Sequence, residues 1–166
     1  MKQRLIPYLG ALAIFVSDRA TKVWVESTIG AWEVRTVIPG FFNLIYTENR
    51  GMAFSLLADA SPAVRTTFLL GVSGVVLLFV AWMLWSAESR LHRAALTLVM
   101  GGALGNLYDR LTRGSVIDFL DLHAGDLHWP TFNLADSAIT AGALLLVWEM
   151  LTTQRAGQKP AGRTVT

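Results

Sequence analysis

A chain of 166 residues and 18.2 kDa with 53% hydrophobic and only 16% charged residues cannot cover a water-facing surface, since ordinary soluble domains carry about 25% charge. Its mean hydropathy of +0.46 excludes a disordered chain, and 14 basic against 12 acidic residues leave no electrostatic footprint for nucleic acid. With no cysteine there is no disulfide, thiolate metal site or cysteine nucleophile.

Leu5 to Val25 is apolar as far as Val16 and then admits Asp18, Arg19 and Lys22, so only its first part reads as lipid-facing helix. A cleaved signal peptide is a rival for this start, but no small-x-small site follows its apolar run. Val34 to Ile38, Phe41 to Tyr46 and Met52 to Leu56 are rich in β-branched or aromatic residues, with turn signals at Pro39-Gly40 and at Glu48-Asn49-Arg50-Gly51, and predict a small surface sheet. Ser61-Pro62 reads as an N-cap with proline at the first helical position.

Thr66 to Trp85 is twenty residues without a charge, the length that crosses a hydrocarbon core of about 30 Å. Ala94 to Tyr108 is fifteen uncharged residues, closed by Asp109 and Arg110. It becomes a span if Leu91 to Arg93 lie at the interface with Arg93 snorkelling. Phe132 to Leu151 carries only Asp136 and Glu149. The expectation is one membrane domain over 1–166, all-α, with four transmembrane helices (5–25, 66–85, 91–108, 132–151), a small extracytoplasmic β-sheet and a disordered cytoplasmic tail at 152–166.

Lys2 and Arg4, Arg90 and Arg93, and Arg155, Lys159 and Arg163 fall on one side of four crossings, which makes that side cytoplasmic. The segments Glu26 to Arg65 and Asp109 to Thr131 then lie outside, where the chemistry belongs.

Acids in or beside spans are costly and point to function. Asp18 and Lys22 are spaced i, i+4 and can pair, either as an interfacial salt bridge or at a working site. Gly101 and Gly105 form a small-xxx-small pattern for close helix approach, with Gly102 and Asn106 one turn apart beside it; the Asn106 amide needs a partner. Asp118 stands in Val116-Ile117-Asp118-Phe119, an awkward place for a surface acid. Asp136 follows Asn133 by three residues, which alone reads as a capping-box variant. Two converging carboxyl groups instead share a proton and supply an acid and a base for activating water, the chemistry of an aspartic peptidase.

His92, His123 and His128 cannot supply a His-Glu-x-x-His helix, and no Gly-x-Ser-x-Gly elbow occurs. Asp109, Asp118, Asp121 and Asp126 could gather a divalent ion, but their spacing defines no ligand set. No metal or other cofactor is expected. A small transporter using Asp18, Lys22 and Asp136 as intramembrane charges is the alternative.

Five ordered blocks resemble the lipoprotein signal peptidases, or signal peptidase II, aspartyl peptidase family A8: Asp18-x-x-Thr21-Lys22; Asn49 to Ser55; Gly101 to Arg110; Val116 to Phe119; and Phe132 to Ser137. Arg19 departs from the glutamine usual in that family. The resemblance implies a multi-pass enzyme of the bacterial inner membrane, with cytoplasmic termini, an outer-face active site and an external β-cradle. It would cleave prolipoproteins before their diacylglyceryl-modified cysteine. Asp118 and Asp136 would be the catalytic dyad. Asp18, Lys22, Asn49, Arg50, Gly51, Asn106, Asp109, Arg110, Asn133 and Ala135 would bind substrate or support the site, with Asn49 and Arg50 in a gripping loop. Membrane lipid and a globomycin-type inhibitor are the expected partners, nucleic acid is not, and the chain is expected to act as a monomer.

Overall fold

The computed structural model describes residues 2–30, 33–51 and 61–157. In chain order these form α1 (Lys2–Thr28), β1 (Val34–Ile38), β2 (Phe42–Asn49), α2 (Pro62–Ser86), α3 (Arg90–Arg113), β3 (Val116–Ala124), β4 (Leu127–His128) and α4 (Leu134–Gly157). Helix α3 packs against each of the other three, and α1 also touches α4. The helices are 24 to 27 residues long, each more than the roughly 20 needed to cross a bilayer. Two pass on apolarity as well, over Ala63–Ser86 and Leu134–Thr153. The others carry Asp18, Arg19 and Lys22 on α1 and Arg93, Asp109 and Arg110 on α3.

The polarity of the bundle is inverted relative to a water-soluble one. Lys22, Asn133, Asp18, Asp109 and Asp118 are among the largest fully buried side chains, while Leu78, Val75, Leu9 and Leu144 are exposed. That arrangement is unfavourable in water and suits hydrocarbon, where apolar groups face the solvent and polar groups must be satisfied internally.

Helix α3 sits at the centre because one stripe of it is nearly without side chains. Gly101, Gly102, Gly105, Asn106 and Asp109 are buried along it. A Cβ on Gly101 would lie 2.6 Å from Cβ of Ile14 and 2.8 Å from the Ala11 carbonyl, one on Gly105 would strike the Asp18 carboxylate, and one on Gly102 the Ala135 carbonyl. Gly101 and Gly105 thus admit α1, and Gly102 admits α4. At the far end, both Arg113 Nη atoms bond the Glu26 carboxylate, tying α3 to α1 again.

The sheet is antiparallel in the order β1-β2-β3-β4. A bulge between Leu44 and Thr47 brings Thr47 opposite Asp118 and Asn49 opposite Val116. The Phe132 carbonyl accepts from the N–H groups of Phe119 and Leu120 at 3.0 and 2.8 Å, and Phe132 N–H donates to the Leu120 carbonyl at 3.1 Å. The chain entering α4 is therefore stitched to β3, which sets Asn133 beside Asp118.

Several expectations need correction. Strand β2 runs through Glu48 and Asn49, where the sequence predicts a turn, because both pair with β3 opposite Ile117 and Val116; the chain bends at Gly51. Strands β3 and β4 were not anticipated, since the acids in Val116–Ala124 hide its alternation. Helix α3 continues to Arg113 and ends at Gly114, whose φ is 74° and whose N–H bonds the Arg110 carbonyl, a left-handed helix stop. Residues 152–157 of the expected disordered tail belong to α4. The expected strand Met52 to Leu56 lies outside the described residues. The Ser61 cap is present, its hydroxyl accepting from Val64 N–H at 3.4 Å.

The close approaches predict a contrast among glycines. Gly102→Ala and Gly105→Ala should each lower stability by about 1–3 kcal/mol, because the new methyl meets a carbonyl or a fixed carboxylate. Gly71→Ala and Gly74→Ala on α2, with nothing within 4 Å, should leave stability unchanged or raise it by up to about 1 kcal/mol. Thermal unfolding of purified protein in detergent measures both.

Candidate active site

The site is built outward from a buried ammonium. Lys22 Nζ lies 2.8 Å from Asp18 Oδ2, 2.8 Å from Asp109 Oδ2 and 3.2 Å from Asn106 Oδ1, and all four residues are buried. The Asp18–Lys22 pair expected from the i, i+4 spacing is present. Asp18 Oδ1 also accepts from Ala135 N–H at 2.9 Å, so one carboxylate joins α1 to the start of α4. Asp109 Oδ2 accepts from Ile117 N–H at 3.3 Å, and Asp109 Oδ1 pairs with Arg19 Nη1. The Arg19 guanidinium lies over the Tyr108 ring at 4.7 Å. Two carboxylates thus meet two cations, the condition under which buried charges are tolerated.

Asn106 carries this order toward Asp136. With its Oδ1 accepting from Lys22, its Nδ2 donates to Asp136 Oδ1 at 2.7 Å. Asp136 Oδ2 accepts from Asn133 N–H at 3.2 Å, while Asn133 Oδ1 accepts from Asp136 N–H at 2.9 Å. This is a complete reciprocal cap, so the capping reading of Asp136 holds and leaves its other oxygen directed at Asn106.

Asn133 also reaches the second acid. Its Nδ2 donates to Asp118 Oδ1 at 2.6 Å and shares its hydrogens with the Ile117 carbonyl at 3.1 Å and Asn106 Oδ1 at 3.2 Å. The Ile117 peptide is therefore held at both ends, its N–H by Asp109 and its C=O by Asn133, which fixes the backbone just before Asp118. From the sheet side Asn49 Nδ2 donates to Asp118 Oδ2 at 3.1 Å. Asn49 Oδ1 accepts from Gly51 N–H at 2.9 Å. Gly51 has φ of 79°, and a Cβ there would also meet Leu69 at 2.5 Å.

Asp118 and Asp136 line one cleft of about 640 Å³, together with Asn49, Trp129, Phe132 and Leu144. Burial, assisted by the nearby charge of Asp136, pushes the Asp118 carboxyl up to about 6 against the donors of Asn49 and Asn133. Arg110 is half-buried within the field of Asp136, Asp118 and Asp109. Arg50 is not brought to the acids; its side chain is 70% exposed and faces Glu48 at 3.7 Å. Two neighbouring acids are engaged elsewhere: Asp109 belongs to the Lys22 cluster, and Asp121 accepts from Asn43 at 3.0 Å and pairs with His128 at 2.7 Å. Among the described residues the acids Asp109, Asp118, Asp121 and Asp126 do not gather into a metal-binding group.

Sequence reasoning missed the cleft walls, where Trp129, Phe132 and Leu144 carry no distinguishing spacing. It also left Arg19 without a role, although a second cation beside Asp18, Lys22 and Asp109 balances the charge.

The fold is that of a bacterial membrane enzyme, and its relatives define the class as an aspartic peptidase. The chain is a member of the signal peptidase II family: the pattern described as Signal peptidase (SPase) II matches residues 10–152. It is 47% identical over 148 residues to a lipoprotein signal peptidase of Solibacter usitatus, covering 87% of this chain and 90% of that one. To those of Cellvibrio japonicus and Yersinia enterocolitica it is 39% and 45% identical, covering 92% and 84% of this chain and 91% and 82% of theirs. A bacterial membrane enzyme solved by the in meso method at 2.3 Å superposes with a TM-score of 0.80 at 26% identity, covering 95% of this chain and 94% of that one. A second, solved at 1.9 Å, gives 0.78 at 29% identity, covering 88% and 92%. The transporter alternative is set aside by this membership.

The raised Asp118 carboxyl has a signed consequence for stability. Between the ordinary value of 3.8 and about 6, the folded protein binds more protons than the unfolded chain, so stability should fall as pH rises through that window and level off above it. The total is on the order of 3 kcal/mol. Unfolding in mixed micelles from pH 4 to 7 should show this slope for the native protein and a flatter one for Asp118→Asn.

Proposed function

We propose that the chain removes signal peptides from prolipoproteins, cleaving before the diacylglyceryl-modified cysteine, with Asp118 and Asp136 as the catalytic dyad. The observation that carries this is Asn133: its amide nitrogen bonds Asp118 while its carbonyl oxygen and main-chain N–H close the cap on Asp136. One residue thereby holds both acids against a cleft with an apolar wall. Asp118, with its raised affinity for a proton, is the acid, and Asp136 is the base.

A water between them gives a proton to Asp136 as its oxygen attacks the scissile carbonyl carbon, and the carbonyl oxygen takes the Asp118 proton. The tetrahedral diol collapses as the C–N bond breaks. The leaving nitrogen takes the proton from Asp136, and the diol returns one to Asp118, which restores the dyad. Asp18, Lys22, Asn106, Asp109, Asn133 and Ala135 position the acids, Asn49 and Gly51 hold the sheet side, and Arg110 places a positive charge in the field of both acids; Arg50, exposed and away from the acids, would meet substrate only beyond the cleft. A globomycin-type inhibitor would occupy the same cleft, and a monomer suffices because both acids come from one chain.

All four helices cross the bacterial inner membrane in this reading, as a single domain over 1–166 with both termini cytoplasmic and the dyad at the outer face. The basic residues flanking the helices support it. Reporter fusions should place Ser89 and both termini inside and Gly30 and Asp126 outside; an external C-terminus would overturn the arrangement.

Asp118→Asn and Asp136→Asn should each reduce cleavage of a lipidated prolipoprotein to background, and the double variant should be hardly worse than either, since members of one catalytic unit are not additive. Asparagine caps about as well as aspartate, so a mere cap at position 136 would tolerate the change. Turnover by Asp136→Asn at matched protein levels would exclude the dyad. Cleavage by the native protein should persist in excess chelator, and rescue by an added divalent ion would point to a metal-dependent reaction instead.

A further inference from the structure

A second cavity lies at the opposite end of the bundle from the acids, where the start of α1, the end of α2 and the start of α3 meet. It has a volume of about 540 Å³, and Arg4, Leu84, Trp85, Glu88 and Arg93 are part of its lining. The Arg4 guanidinium lies over the Trp85 ring at 5.4 Å. Among the described residues the Arg93 guanidinium gives one hydrogen bond, from Nη2 to the Glu88 carbonyl at 2.8 Å, while its Nε is shielded from solvent with no acceptor.

A guanidinium keeps its charge and carries five N–H donors in a planar fork that matches phosphate oxygens. Here two such forks border one cavity, and a donor shielded from water without an acceptor is a cost that an anion's oxygen would remove. The single acid of the lining, Glu88, is exposed and leaves the two cations in excess. Leu5, Ile6 and Leu9 on α1 and Trp82 and Trp85 on α2 are exposed nearby, offering an apolar path beside the charged one. Tryptophan at such a boundary marks the headgroup level, and basic pockets between helices on the cytoplasmic side hold acidic headgroups.

We infer that this cavity is a binding site for the phosphodiester of an anionic phospholipid, held by Arg4 and Arg93, with the acyl chains lying along the exposed faces of α1 and α2. The full chain, reconstituted in bilayers of equal parts phosphatidylglycerol and phosphatidylcholine and released into mild detergent, would be examined by native mass spectrometry for retained lipid. The native protein should prefer phosphatidylglycerol by roughly tenfold, the Arg4→Gln, Arg93→Gln double variant should lose the preference, and Arg93→Lys should keep part of it. Peptidase turnover of the variants in a phosphatidylcholine bilayer checks that they are folded. If Arg93→Gln does not fold, Arg4→Gln alone must still lower the preference, since that side chain is exposed and, beyond its contact with the Trp85 ring, makes no hydrogen bond or ion pair among the described residues. Equal retention of the two lipids, or a preference unchanged by these variants, overturns the inference. Displacement of the retained lipid by inorganic phosphate would also overturn it, by making the cavity a site for soluble phosphate.

Discussion

The Lys22 ammonium is the point from which the rest of the structure is set. It is fully buried among Asp18, Asp109 and Asn106, and each of these partners has a second obligation. Asp18 takes the Ala135 N–H at the start of α4, Asp109 takes the Ile117 N–H in β3, and Asn106 points its nitrogen at Asp136. Two elements, α4 and β3, are thus oriented by one cation in a low-dielectric interior, where Coulombic attraction is strong and an unmatched charge is very costly. Removing the lysine would leave the Asp18 carboxylate without a cation and Asp109 with Arg19 alone, and would release the geometry of Asp118 and Asp136.

Glycine makes that ammonium reachable. Without the bare stripe on α3, the Asp18 carboxylate could not lie against Gly105, nor the Ala135 carbonyl against Gly102. Small residues and buried polar groups reinforce each other here: close backbones shorten the hydrogen bonds, and the bonds hold the backbones close. The polar core and the exposed apolar shell are two aspects of one solution to the bilayer as solvent.

The sequence made the helices legible because apolar runs of membrane length have few other uses, and it exposed Asp18, Lys22, Asn106, Asp118 and Asp136 because polar groups in such runs demand a reason. It was silent on β3 and β4, where Asp118 and Asp121 interrupt an otherwise apolar run and the pairing partner, β2, lies about seventy residues earlier. The cleft wall was equally hidden. Trp129, Phe132 and Leu144 are ordinary residues until the stitching of Phe132 to β3 brings them to one surface. Arg19 shows the converse case, in which a departure from a family pattern became intelligible only once Asp109 was seen to need a second cation.

The cleft that holds the two acids is open at its apolar side, where Leu144 is 65% exposed and continuous with the outward face of α4. A lipid-anchored chain arriving there never leaves the plane of the bilayer, so its encounter with the enzyme is a search in two dimensions. Occupancy is then governed by surface density, and an apparent KM belongs in mole fraction of lipid rather than in molarity. Diluting enzyme and substrate together into more detergent or more lipid slows the reaction even when the bulk concentrations of both are unchanged.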